Sequence, residues 1–225
     1  MPGTALITGA GGGLGAAIAE ALAPDYALLL AGRPSPRLEE VAARFGATVW
    51  AIDLADCDAI TPPADLTALD VLVHNAGVAF PGRVAESTPE QWRTSFEVNV
   101  TGAVALTLAV LPALRAARGQ VVFINSGAGL RASPGLASYS ASKSALTSFA
   151  DSLRADEPLL RVTSIHPGRI DTAMQRALVA YEDRPYDPAE FLSPHTVAAA
   201  VAAAVATPPD GETQQVVLRP RGRRP

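Results

Sequence analysis

Short apolar runs alternate with longer alanine-rich stretches along the whole 225-residue chain. Most of the short runs are continuously apolar, which is typical of strands covered on both faces in a parallel sheet. The longer stretches have the length and composition of helices. Regular alternation of strand and helix implies crossover connections between parallel strands. The sequence therefore predicts an α/β fold with one doubly wound, seven-stranded, mostly parallel sheet and helices on both of its faces.

The predicted elements span the chain without a linker, an internal repeat or a second hydrophobic core, so we expect a single domain over residues 1–225. The expected strands are 5–8, 27–31, 48–52, 71–74, 121–125, 161–166 and 215–218. The expected helices are 13–22, 36–45, 89–117, 134–156 and 194–206.

Two segments depart from this pattern. Residues 172–193 hold four large side chains among prolines and charges, directly after the sixth predicted strand. Ligands of open α/β sheets bind outside the carboxyl ends of the strands, so this segment is expected to be an irregular substrate lid. Residues 219–225 are short, basic and terminal, and we expect them to be a frayed tail.

Composition excludes several classes of protein. Cys57 is the only cysteine, so no intrachain disulfide can form and a reducing, cytoplasmic location is expected. The first predicted strand begins too early to leave room for a signal peptide. The apolar runs 103–114 and 197–206 fall short of the ~20 residues that span a bilayer. A net charge of −4 argues against a nucleic-acid partner. We expect neither nucleic acid nor membrane as a partner.

A glycine-rich turn, Thr8-Gly9-Ala10-Gly11-Gly12-Gly13-Leu14-Gly15, joins the first strand to the first helix. Glycines permit a tight turn and a close approach of the backbone to a pyrophosphate, which the helix N-terminus then attracts. The strand–turn–helix context is the one that this motif requires. The turn predicts a dinucleotide site of the Rossmann type, with Thr8, Gly9, Gly13, Leu14 and Gly15 as cofactor-binding residues.

The end of the second strand indicates which dinucleotide binds. An acidic residue there selects NAD, whereas an arginine accommodates the 2′-phosphate of NADP. Here Gly32 is followed by Arg33. We therefore expect NADP(H), with NAD(H) the less favoured cofactor; the alternative is that Arg33 only faces solvent. Asp53, with Leu54 at the end of the third strand, is suited either to an adenine amino group or to capping the next turn.

Lys143 is the only lysine among eighteen basic residues, and it lies four positions after Tyr139. Residues i and i+4 share one face of a helix, so a phenol and an ammonium lie side by side. A nearby cation lowers the pKa of a tyrosine, which makes the phenol a usable acid or base near neutrality. The pair predicts a catalytic site; the alternative is a surface contact.

Further polar residues follow the later strands, and together these motifs resemble the short-chain dehydrogenase/reductase family, in its compact single-domain branch. The resemblance covers nearly the whole chain, and no single motif would carry it. The matching residues are Thr8-Gly9 through Gly15, Asn75-Ala76-Gly77, Asn99, Ser126, Tyr139 with Lys143, and Pro167-Gly168 with Thr172.

The resemblance implies four catalytic roles. Tyr139 would exchange a proton with the substrate oxygen, and Ser126 would hold that oxygen. Lys143 would lower the pKa of the tyrosine and bind the nicotinamide ribose. Asn99 would bind, through its backbone carbonyl, a water that links Lys143 to solvent.

The resemblance also implies further cofactor contacts. Those residues are Asn75, Ala76, Gly77, Pro167, Gly168, Ile170 and Thr172. One departure is His74, where the family commonly has asparagine. No histidine has the spacing of a metal ligand, so we expect no metal and three structural histidines.

We therefore expect an NADP-dependent enzyme that interconverts a small ketone or aldehyde and its alcohol, and that forms a homodimer or homotetramer as its relatives do. Two alternatives remain: a nonenzymatic NADP(H)-binding sensor and an acyl-carrier-linked 3-oxoacyl reductase. The candidate substrate-pocket residues are Phe80, Leu130, Arg131, Met174 and Tyr181.

Overall fold

A computed structural model describes residues 2–222 and contains one seven-stranded sheet in the order β3-β2-β1-β4-β5-β6-β7. Every neighbouring pair of strands is parallel. Helices cover both faces, so the expected doubly wound α/β fold is confirmed. The strands are β1 (Gly3–Thr8), β2 (Tyr26–Gly32), β3 (Thr48–Ala51), β4 (Val71–His74), β5 (Gln120–Ile124), β6 (Arg161–Pro167) and β7 (Gln215–Leu218).

Eight α-helices lie among the described residues, with three short 3-10 turns and one π-helical turn. The helices are α1 (Gly13–Leu22), α2 (Pro36–Phe45), α3 (Pro89–Phe96), α4 (Gly102–Ala117), α5 (Gly127–Leu130), α6 (Ala137–Asp156), α7 (Ala173–Tyr181) and α8 (Pro194–Val205).

The core has two halves, one on each face of the sheet. On one face Ile7 of β1 packs in a cluster with Ile18 of α1. On the other face the neighbouring Leu6 packs in a cluster with Leu106 of α4 and Leu146 of α6. Successive side chains of a strand point to opposite faces, so a strand buried on both sides must be apolar at every position. This is why the strands could be recognised as continuous apolar runs.

The strand order reverses between β1 and β4, which lie side by side although β2 and β3 separate them in sequence. At such a reversal the loops after the two strands diverge to opposite faces and leave a crevice at the carboxyl edge of the sheet. The turn after β1 and the loop that begins with Asn75 therefore meet at this crevice.

Three expectations about elements were wrong in detail. The expected helix 89–117 contains a π-helical turn, Glu97–Thr101, in which the Gly102 N–H bonds the Glu97 carbonyl five residues back. The expected irregular lid contains the helix α7, which Thr172 caps by accepting a hydrogen bond from the Gln175 N–H. A threonine directly before a helical run is an N-terminal signal, but the nearby prolines obscured it.

The third difference concerns the tail. Arg219 is not frayed, since its Nη1 donates to the backbone carbonyl of His166 at 2.9 Å. Residues 223–225 of the expected tail lie outside the described residues.

The continuous helical stretch Pro89–Ala117 is 29 residues long and, by length and composition alone, could cross a membrane. The apolar run 103–114 noted in the sequence is too short to do so by itself. Its inner side is a core element of this domain, because Leu106 and Leu114 are fully buried against the sheet. On its outer side Leu108 is 60% exposed, and charged residues such as Arg93, Glu97 and Arg115 are exposed as well.

Candidate active site

A cleft of about 780 Å³ runs along the carboxyl edge of the sheet and is bordered by the lid. All the residues expected to bind the cofactor line this cleft, and so do Ser126, Tyr139 and Lys143. Asn99 does not line the cleft, but its side chain bonds Val78, which does. Of the candidate pocket residues, Arg131 and Met174 line the cleft, whereas Phe80, Leu130 and Tyr181 do not.

The glycine turn is packed too tightly for side chains at two positions. Gly9 has φ +64, and a Cβ there would lie 2.9 Å from the Ala76 Cα. A Cβ on Gly15 would lie 2.4 Å from the Gly9 carbonyl oxygen. Helix α1 begins at this turn with Gly12 as its N-cap, without a side-chain cap and without an acidic residue in its first turn. The positive end of the helix is therefore accessible to an anion.

Hydrogen bonds join the glycine turn to the loop after β4. The Thr8 hydroxyl oxygen accepts from the backbone N–H groups of Asn75 and Ala76, each at 3.0 Å. In return the Asn75 side-chain amide donates to the carbonyl oxygens of Thr8 at 2.9 Å and Gly9 at 3.1 Å. These reciprocal bonds fix two loops that could not be related to each other from sequence spacing.

Arg33 and Asp53 lie at the far end of the cleft, after β2 and β3 respectively. Arg33 is exposed and forms no ion pair with a described residue, and it also borders a side cavity with Gly12 and Ser35. Arg37, a second arginine close after β2, borders neither the cleft nor the side cavity. One oxygen of Asp53 accepts from the Ala55 N–H at 3.0 Å, so the capping role expected for Asp53 is present in this structure.

Tyr139 and Ser126 lie near each other at the other end of the cleft, which both residues line. Ser126 follows β5 and caps α5: its hydroxyl oxygen accepts from the Ala128 N–H at 3.1 Å, which orients the side chain. Burial raises the pKa of Tyr139, and the nearby Ser126 side chain lowers it by less. The net direction in this structure is opposite to the lowering that the family resemblance implied.

Lys143 lies one turn after Tyr139 and is only 3% exposed. Its ammonium nitrogen donates to the Ile124 carbonyl oxygen at 2.9 Å and lies 5.9 Å from the centre of the Tyr139 ring. Burial lowers the pKa of Lys143 to about 8. A buried ammonium with one protein acceptor keeps two further N–H donors for a ligand.

Asn99 supports this wall of the cleft through its side chain. Its amide oxygen accepts from the Val78 N–H at 2.8 Å, and its amide nitrogen donates to the Val78 carbonyl and the Ser142 hydroxyl, both at 2.9 Å. Every polar atom of this buried side chain is therefore paired, as an amide in an apolar helix requires. These three hydrogen bonds hold the loop after β4 against α6, the helix that carries Tyr139 and Lys143.

His74 is a buried structural residue. Its Nε2 lies 2.8 Å from the Thr107 hydroxyl oxygen, and that hydroxyl donates its own proton to Ala103. Nε2 must then be the protonated nitrogen of His74. Burial, with a contribution from Lys143, lowers the pKa of His74 to about 3, and its ring stacks on Phe123. Within residues 2–222 no cluster of three or more His, Cys, Asp or Glu could hold a metal.

The lid is attached at both of its ends. At its base the Leu192 N–H bonds the Arg169 carbonyl at 2.9 Å. At its far end Tyr181 donates its hydroxyl proton to Glu86 across 2.9 Å. Gln175, on the buried side of α7, lines the cleft with an amide nitrogen that has no partner. The Tyr181–Glu86 contact joins residues 95 positions apart, and no sequence signal predicted it.

Solved structures of two enzymes have the same fold. An alcohol dehydrogenase from the archaeon Thermococcus sibiricus, complexed with 5-hydroxy-NADP, matches with a TM-score of 0.86 and 28% identity over 100% of this chain and 99% of its own. The closed form of a serine dehydrogenase complexed with NADP+ matches with a TM-score of 0.85 and 27% identity over 95% and 93% of the two chains.

Sequence relatives agree with the structural ones. An uncharacterised oxidoreductase of Staphylococcus saprophyticus is 31% identical over 96% of each chain. The family model described as short chain dehydrogenase matches residues 3–183. With the fold and the cleft described above, this match means that the chain belongs to the short-chain dehydrogenase family.

Proposed function

We propose that this oxidoreductase interconverts a small ketone or aldehyde and its alcohol, with NADP(H) as cofactor and Tyr139 as the general acid and base. The observation that carries the proposal is that Tyr139, Ser126 and the buried Lys143 line one end of the cleft that begins at the glycine turn, with Lys143 one helical turn from Tyr139. A proton donor, an oxygen-binding hydroxyl and a cation thus lie around one reaction centre.

The residues present fit a dinucleotide. The close contacts of Gly9 and Gly15 leave backbone, rather than side chains, facing the cleft beside the N-terminus of α1. That end of the helix suits a pyrophosphate. Lys143 offers its unused donors to hydroxyl groups such as those of a ribose. Gly77 supports this fit, because a Cβ there would lie 3.6 Å from the Lys143 nitrogen and narrow the space around it.

The bound nicotinamide would supply or accept the hydride. In the reductive direction Tyr139 gives its phenolic proton to the carbonyl oxygen, and in the oxidative direction it takes the proton back. Ser126 hydrogen-bonds the same oxygen and stabilises the charge that develops on it. The Lys143 ammonium stabilises the phenolate that Tyr139 becomes after proton transfer. Asn99 holds the loop after β4 against α6, the helix that carries Tyr139 and Lys143.

The preference for NADP(H) rests on Arg33. Arg33 has no carboxylate partner among the described residues, and Gly32 before it leaves no acidic side chain to repel a 2′-phosphate. Ser35 and Gly12 border the same side cavity, which offers further polar donors. The alcohol dehydrogenase and the serine dehydrogenase described above were both solved with NADP-type ligands.

We also propose that the enzyme is a cytoplasmic homodimer or homotetramer, associated through the outer faces of α4 and α6. Leu108, which is 60% exposed on α4, is a side chain that such an interface would bury. Light scattering of the purified protein tests the association. A monomer at micromolar concentration would contradict it without affecting the catalytic proposal.

The test of function is a titration with NADPH and NADH, followed by nicotinamide fluorescence, and then the addition of small ketones and aldehydes. We expect tighter binding of NADPH and turnover of at least one carbonyl compound. Binding without turnover would favour the nonenzymatic sensor. Turnover of acyl-carrier thioesters alone would favour the 3-oxoacyl reductase, and failure to bind either nucleotide would overturn the proposal.

A further inference from the structure

Arg219 follows the last strand and folds back onto the floor of the cleft, beside the reaction centre. A Cβ built on Gly127 would lie 2.9 Å from the Arg219 Nη2 and 3.0 Å from its Cζ. Gly127 directly follows Ser126, the serine proposed to hold the substrate oxygen, so the guanidinium packs against the residue next to that serine. Only a glycine at position 127 leaves room for the guanidinium in this place.

Protein hydrogen bonds hold the guanidinium in place but use only part of its donors. Its Nη1 donates to the backbone carbonyls of His166 at 2.9 Å and Leu218 at 3.0 Å. Nη2 and Nε make no hydrogen bond to any residue in the range 2–222. Arginine has five N–H donors, so several remain for a ligand. The two carbonyl bonds fix the plane of the group and thereby reduce the conformational entropy that binding would cost.

The charges around this end of the cleft have one sign. Arg131 and Arg219 both line the cleft, and neither forms an ion pair with a described residue. Arg169 lines it too, but Glu182 neutralises it at 2.8 Å. The only carboxylate among the lining residues is Asp53, after β3 at the opposite end. The substrate end therefore has uncompensated positive charge. Arg131 and Arg219 are both exposed, so salt screens their attraction at a distance, and an anion gains most from direct hydrogen bonds to the guanidinium.

We propose that Arg219 is an anion anchor, and that the substrate is a carbonyl compound that also carries a carboxylate or a phosphate. The proposal rests on the proposed function, because it places the anion in the same cleft as the reacting carbonyl. The planar fork of Arg219 suits either oxyanion in a bidentate contact, and Arg131 adds longer-range attraction. A neutral ketone of the same size would leave both cations without a partner.

The test compares anionic carbonyl compounds with neutral partners of similar structure. The rate of NADPH oxidation is measured with 2-oxobutanoate and methyl 2-oxobutanoate, with 3-oxobutanoate and its methyl ester, and with glyceraldehyde 3-phosphate and glyceraldehyde. We expect kcat/KM for one anionic member to exceed that of its neutral partner by about tenfold or more, the factor expected for a charge-assisted hydrogen bond. The oxo acids and the phosphate ester distinguish the two kinds of anion.

Variants assign the preference to Arg219. In Arg219→Met the ratio of kcat/KM between anion and neutral partner should fall by about tenfold or more, while Arg219→Lys, which keeps the charge, should retain part of it. Gly127→Ala should also lower the ratio, because its Cβ would displace the guanidinium. Arg221→Met is the matched control, since Arg221 lies in the same exposed tail and does not line the cleft.

The outcomes separate this inference from the proposed function. Equal ratios in the wild type and Arg219→Met, with carbonyl turnover intact, would overturn the anchor and leave the oxidoreductase proposal standing. A weaker affinity of Arg219→Met for NADPH, with an unchanged ratio, would mean that Arg219 serves the cofactor, and would also overturn it. If no carbonyl compound is turned over, calorimetry with the same pairs decides, and equal binding of acid and ester contradicts the anchor.

Discussion

The Lys143 ammonium donates to the Ile124 carbonyl oxygen at 2.9 Å, and this bond fixes the only lysine of the chain beneath the cleft. The ammonium is buried, and burial lowers its pKa to about 8. The positive charge that we assign to cofactor binding is therefore nearly complete below about pH 7, halved near pH 8 and lost at higher pH.

We expect the affinity for NADPH to fall above about pH 8, by up to tenfold once Lys143 is neutral, because a charge-assisted donor is lost. Fluorescence titrations between pH 6 and 10 give the profile, in which the bend reports the pKa of the free protein. Lys143→Met is the control, and its affinity should be lower and independent of pH over this range. If the wild type and Lys143→Met show the same pH dependence of NADPH affinity, the titrating group is not Lys143.

Arg33→Asp should change the cofactor preference. The substitution removes a cation from the side cavity and adds a carboxylate that repels a 2′-phosphate and can bond ribose hydroxyls. We expect the ratio of NADPH to NADH affinity to fall by about tenfold or more, the cost of a lost charged hydrogen bond. Arg37→Met tests the neighbouring arginine, which borders neither the cleft nor the side cavity, and should leave the ratio within about twofold.

The same titration of both variants decides between two interpretations of Arg33. A ratio that stays the same in Arg33→Asp would mean that this arginine only faces solvent.

Two glycines of the same turn should respond oppositely to alanine. A Cβ on Gly15 would lie 2.4 Å from the Gly9 carbonyl oxygen, whereas nothing lies within 4 Å of a Cβ on Gly13. We expect Gly15→Ala to lower the free energy of unfolding by about 1–3 kcal/mol, the usual cost of overpacking. Gly13→Ala should be neutral or stabilising by about 0.5–1 kcal/mol, since alanine favours a helix. Urea unfolding of both variants gives the comparison, and equal effects would contradict the packing argument.

The sheet and the cleft follow closely from the sequence, because both depend on local signals. Continuous apolar runs predict buried parallel strands, and polar or glycine residues at their carboxyl ends predict the lining of one edge. Tyr139 and Lys143 could be paired because a helix fixes their spacing. Each of these inferences needs only the period of a strand or a helix.

Long-range contacts could not be predicted in the same way. The return of Arg219 to Gly127 depends on the backbone carbonyl of His166 in β6 and on the space that a glycine leaves, and neither is encoded near residue 219. The direction of the Tyr139 pKa depends on burial by distant residues, which sequence spacing does not report. The π-helical turn that contains Asn99 likewise has no signal in the local sequence pattern.

The central claim is that Tyr139 transfers the proton to and from the substrate oxygen. Tyr139→Phe removes the hydroxyl and keeps the ring, and Tyr26→Phe, at the opposite edge of the sheet, is the matched control. The measurement is kcat for carbonyl reduction beside the affinity for NADPH. We expect Tyr139→Phe to lose at least ~10²-fold in kcat with its NADPH affinity nearly unchanged, and Tyr26→Phe to lose neither. Near-normal turnover by Tyr139→Phe would contradict the mechanism.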